Sequence, residues 1–163
     1  MAKMGTKWSD FPIAIREGFV GNLERIQPEI NSLDISILCW SFGALEVPLD
    51  QFSNANLNPL FTATMRALPS INSQELSSLI WGLSGTNINW DSFPPQLKWS
   101  LNVALRRVGP VMSPQDVANC AYGLTLLSFD TQFPLDPGFI LFNFNFNLNS
   151  LFTFNNIFIL KKK

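Results

Sequence analysis

Asn72-Ser73-Gln74-Glu75-Leu76-Ser77-Ser78-Leu79-Ile80-Trp81-Gly82-Leu83 is the stretch whose reading decides the fold. Asn72 is a good helix N-cap, because its side-chain oxygen can accept from an exposed backbone N–H. Glu75, three residues on, completes a capping-box-like pair and favours the positive end of the helix. Leu76, Leu79, Ile80 and Leu83 follow the spacing i, i+3, i+4, i+7, which is one face of an α-helix. Ile71 before the cap and Leu76 after it form a hydrophobic staple.

The same pattern lies 41 residues away in both directions. Asn31 and Ser113 are the matching caps, with Asp34 and Asp116 three residues later. The matching apolar faces are Ile35, Leu38, Cys39, Phe42 and Val117, Cys120, Ala121, Leu124. Trp40, Trp81 and Tyr122 keep the step of 41, as do Pro28, Pro69 and Pro110, and Arg25, Arg66 and Arg107. A period of this size without strand alternation predicts a stacked helical array. The expected fold is an all-α solenoid of about three helix-pair repeats, HEAT-like in period.

The second helix of each pair starts near Pro12 or Pro94 and ends before the prolines at 28, 69 and 110, where the residue before proline leaves helical geometry. Its apolar stripe reads Ile15, Phe19, Leu23, Ile26 in one copy and Leu97, Leu101, Leu105, Val108 in another. Asn56, Leu60, Thr64 and Ala67 make a weaker stripe in the middle.

Composition narrows the function. Histidine is absent, which removes the commonest general base and metal ligand. No Gly-rich phosphate loop or Ser-centred elbow occurs, so no catalysis, cofactor or small-molecule substrate is expected. Cys39 and Cys120 sit on apolar helix faces and read as buried hydrophobes. The net charge is −1, but setting aside Lys161, Lys162 and Lys163 leaves 8 basic side chains against 12 acidic. Any nucleic-acid contact must therefore use a local column of charge, or depend on repeats outside this chain.

Three columns are candidates for binding. Arg25, Arg66 and Arg107 would form a ladder able to track phosphates; the alternative is a cation favoured by its own helix C-terminus. Ile37, Ser78 and Asn119 vary in chemistry at one place beside the core stripe, as a base-reading column would. Trp40, Trp81 and Tyr122 lie among small residues (Ser41, Gly82 and Gly123 follow them) and read either as a stacking platform or as packing between repeats.

Ser73 to Leu83 and Ser113-Pro114-Gln115-Asp116-Val117-Ala118-Asn119-Cys120-Ala121-Tyr122-Gly123-Leu124 resemble the helix of octotricopeptide-type repeats. Similar units occur in proteins with FAST-kinase-like or RAP domains and in the RNA-editing substrate-binding complex subunit six family. The first unit departs at Leu33 and Ile37. The resemblance implies a non-catalytic solenoid that binds single-stranded RNA in mitochondria or chloroplasts, among proteins of an RNA-processing complex. A HEAT-like protein-interaction scaffold is the rival expectation, supported by the acidic balance.

The array is expected over 1–138, beginning inside a repeat. Lys7-Trp8-Ser9-Asp10-Phe11-Pro12 matches Asn89-Trp90-Asp91-Ser92-Phe93-Pro94, so the chain reads as a fragment without a targeting peptide. Residues 139–163 are a low-complexity tail rich in Phe and Asn, whose composition is what A/T-rich DNA encodes, and a disordered or artefactual segment is expected. Asparagines interrupt the tail and argue against a membrane span.

Overall fold

The computed structural model describes residues 5–128. The expected tail, and the end of the expected array, lie outside them. The described residues are all-helical: six α-helices joined by loops and short 3-10 turns, without a strand. The helices are α1 (Ile13–Ile26), α2 (Ser32–Ala44), α3 (Asn54–Ala67), α4 (Ser73–Ser84), α5 (Pro95–Val108) and α6 (Pro114–Leu126). Taken in chain order as the pairs α1/α2, α3/α4 and α5/α6, they pack in two layers. In one, α4 lies between α2 and α6; in the other, α3 lies between α1 and α5.

The starts of α2, α4 and α6 are set by their caps. The Asp34 N–H donates to Asn31 Oδ1 at 3.0 Å, and the Asn31 N–H donates back to Asp34 Oδ2 at 3.1 Å. Asn72 with Glu75, and Ser113 with Asp116, close the same reciprocal pair. Each box satisfies N–H groups that the first helical turn leaves without a partner. At the other end, Glu46, Asn87 and Ser128 adopt left-handed backbone, with φ of 54°, 60° and 56°.

A 3-10 turn precedes each of α1, α3 and α5, and its first N–H is tied to a loop farther on. Trp8 donates to the Leu45 carbonyl at 2.8 Å, Leu49 to Thr86 at 3.1 Å and Trp90 to Leu127 at 2.7 Å. These ties fix where α1, α3 and α5 begin relative to the helices that follow them. Trp8, Leu49 and Trp90 are themselves buried, so each turn also adds to the core.

The predicted core stripes of α2 and α4 fill the interior. Ile35, Cys39, Phe42, Leu76, Leu79, Ile80 and Leu83 are all buried. Glycine lets these helices approach closely. A Cβ on Gly82 would stand 2.3 Å from the Cys39 carbonyl carbon, and one on Gly123 would stand 2.8 Å from Ile80 Cγ2. The α1 stripe departs from expectation. Leu23 is buried, but Ile15 and Phe19 remain 55% and 39% exposed. They border an apolar cavity of about 400 Å³ shared with Trp8, Leu38, Phe42 and Leu45. That side of α1 and α2 meets no other helix among the described residues, whereas the matching Leu101 on α5 is covered.

Candidate ligand-binding face

The residues singled out in the sequence gather on the α2/α4/α6 layer and at the ends of the other layer. Ile37 and Ser78 line one groove between α2 and α4, of about 320 Å³, together with Trp40, Leu33, Asn72 and Glu75. Ile37 is 54% exposed, while Ser78 and Asn119 are half-buried. The Asn119 carbonyl oxygen accepts from the Gln115 amide at 2.9 Å, which orients its side chain along α6. Trp40 and Tyr122 are 45% and 42% exposed, and Trp81 between them is half-buried. The aromatic column is therefore neither core nor free surface, since each ring keeps a solvent-facing side.

The electrostatics of this face are one-sided. The sequences of α2, α4 and α6 contain no Lys or Arg. Their charged side chains are the capping acids Asp34, Glu75 and Asp116. Asp116 is buried, and its carboxylate ties α4 to α6: Ser77 Oγ donates to Oδ1 at 2.9 Å, and Ser113 Oγ donates to Oδ2 at 2.8 Å. Burial alone would raise this carboxyl, but the hydrogen bonds from Ser113, Ser77 and Ser73 outweigh it and hold it below its ordinary value.

The three arginines stand on the second layer, in the last turns of α1, α3 and α5. Two of them grip the neighbouring pair. Arg107 Nη2 donates to the Leu68 carbonyl at 2.9 Å and the Ile71 carbonyl at 2.7 Å. Arg66 Nη2 donates to the Gln27 carbonyl and, at 2.8 Å, to the Ile30 carbonyl. Gln27 and Leu68 are the C-caps of α1 and α3, whose last carbonyls have no helical partner. The cation thus serves the C-terminus of the preceding second-layer helix as well as its own. Arg25 differs, since its Nε donates to Asn22 Oδ1 within α1 at 3.0 Å. This clamp was not readable in the sequence, because its acceptors are backbone atoms 36 and 39 residues away.

Among the described residues no group of three or more Cys, Asp or Glu side chains could hold a metal ion. Burial pushes the Cys39 and Cys120 thiols up to about 12, away from the reactive thiolate. No described helix is long and apolar enough to cross a membrane. No family model, curated protein or solved structure matches the chain. The class is therefore set by the described fold alone: helices packed on helices, with a shallow groove on one layer.

Proposed function

We propose that the helix pairs are units of a solenoid with a period of 41 residues, and that its α2/α4/α6 layer binds single-stranded RNA without catalysis. The starts Ser32, Ser73 and Pro114 and the twice-made arginine clamp support the period. The observation that carries the function is the groove in which Ile37, Ser78 and Trp40 meet. A half-exposed aromatic beside a side chain of variable hydrogen-bonding type is what an unstacked base requires: a ring to stack on and an edge to pair with. Trp81 with Asn119 repeats that pairing one unit further.

Phosphates would be held by Arg25 and by the N–H groups of Arg66 and Arg107 that the clamp leaves over. Partners in an RNA-processing complex, and a mitochondrial or chloroplast setting, follow from the resemblance to octotricopeptide-type repeats. The absence of Lys and Arg from α2, α4 and α6 favours a second reading, in which the groove holds an extended segment of another protein.

Filter binding of short single-stranded RNAs across a salt series decides between them. RNA binding through three arginines at most predicts a log–log salt slope no steeper than about −2, at about −0.7 per neutralised phosphate. Trp81→Ala weakens RNA binding through lost stacking, and Ser78→Ala changes base preference without changing the slope. Failure to bind any RNA at low ionic strength overturns the RNA reading and leaves the protein ligand.

A further inference from the structure

The burial of matching residues, compared from pair to pair, exposes two complementary faces. On the leading side, Leu60, Leu79, Gly82 and Thr86 of the middle pair are buried, and so are Leu101, Cys120, Gly123 and Leu127 of the last. Their counterparts in the first pair, Phe19, Leu38, Ser41 and Leu45, are not. On the trailing side the order reverses. Ile30, Ile35, Ser36 and Phe42 of the first pair are buried, as are Ile71, Leu76, Ser77 and Leu83 of the middle. Met112, Val117, Ala118 and Leu124 of the last pair are only half-buried.

The chain thus forms one joint twice, trailing face against leading face, and leaves one half of it at each end of the described helices. The polar fittings match as well. Arg66 and Arg107 reach the carbonyls of residues 27 and 30, and of 68 and 71. Arg25 stands at the same place on the leading side, and Gly109 and Met112 carry the corresponding carbonyls on the trailing side. The Gly109 carbonyl accepts from the Met112 N–H at 3.2 Å and keeps a second lone pair for a further donor.

We infer that a second copy of this chain docks head to tail, its Gly109 and Met112 carbonyls meeting Arg25 and its Met112, Val117, Ala118 and Leu124 covering Phe19, Leu38 and Leu45. The inference rests on the packing of the pairs and needs no RNA. Because the two faces differ, the contact is heterologous, and copies add head to tail rather than as a symmetric face-to-face dimer. The joint between copies is wider than the joints within. Ser41 stands where the inner joints have Gly82 and Gly123, and a Cβ at either glycine would stand under 3.0 Å from the neighbouring helix. The association is therefore weak and reversible.

Sedimentation velocity of the full chain, from low to high micromolar concentration, tests this. The expected result is a weight-average sedimentation coefficient that climbs with concentration. Ser41→Gly narrows the joint and tightens association by about tenfold, whereas Arg25→Glu and Ala118→Glu each abolish it; the latter brings a carboxylate toward Asp34 of the next copy. All three sites are at least partly exposed, and unchanged helical circular dichroism verifies the fold. Mixing Arg25→Glu with Ala118→Glu restores one intact joint and yields a dimer that grows no further. A monomer at every concentration, or association that ignores Arg25→Glu and Ala118→Glu, overturns the inference.

Discussion

Gly82 shows how single atoms set the spacing of this protein. Its Cα lies so close to α2 that an added methyl would overlap the Cys39 backbone, which cannot swing aside as a side chain could. Gly82→Ala is expected to destabilise the fold by about 3 kcal/mol, the upper end for overpacking, as read by urea denaturation. Gly18 is the control. It lies within α1 with nothing near its Cβ position, so Gly18→Ala is expected to stabilise by about 0.5–1 kcal/mol through helix propensity. The tight role of Gly82 was foreshadowed in the sequence by the small residues around Trp81. Which atom each glycine meets was not, since that depends on the register between helices.

Between elements, Asp116 does two things at once. Its carboxylate accepts from the Ser113 N–H, closing the capping box of its own helix α6, and it accepts from Ser77 on α4. Its carboxyl is held below the ordinary value of 3.8, so the ionised form is favoured in the fold. The stability it adds is present above that value and fades as the pH falls through the lower, folded one. Asp116→Asn should therefore lower stability at neutral pH and converge with the parent chain in acid, as measured by melting temperature between neutral pH and about pH 2, below the ordinary aspartate range. A constant gap at every pH would remove the carboxylate from this account. The cap half of this role was legible, because Ser113 and Asp116 are three residues apart. The bridge to Ser77 was not, because it spans 39 residues.

Across the whole described fold, the middle pair is covered on both sides and the outer pairs on one. Local opening costs most where most apolar surface must be exposed. Amide hydrogen exchange should therefore be slowest in α4, which is packed between α2 and α6, and fastest in α1, whose Ile15 and Phe19 face outward. Equal protection of α1 and α4 would contradict the layered description. The spacing of Ile15 and Phe19 predicts a core stripe on α1. The spacing identifies an apolar face but cannot say whether another helix covers it.

By itself the amino-acid sequence determined what is local: where α2, α4 and α6 start, which face of each is apolar, and where the prolines end the partner helices. Capping and periodicity act within one or two turns, so a few consecutive residues contain the whole of their physics. The tertiary structure alone decided that Arg66 and Arg107 grip carbonyls of the neighbouring pair, that Trp40 and Tyr122 remain half-exposed, and that the α1 stripe borders an open cavity. Each of these depends on which surfaces meet after the chain has turned back on itself, and such contacts join residues that no local pattern connects.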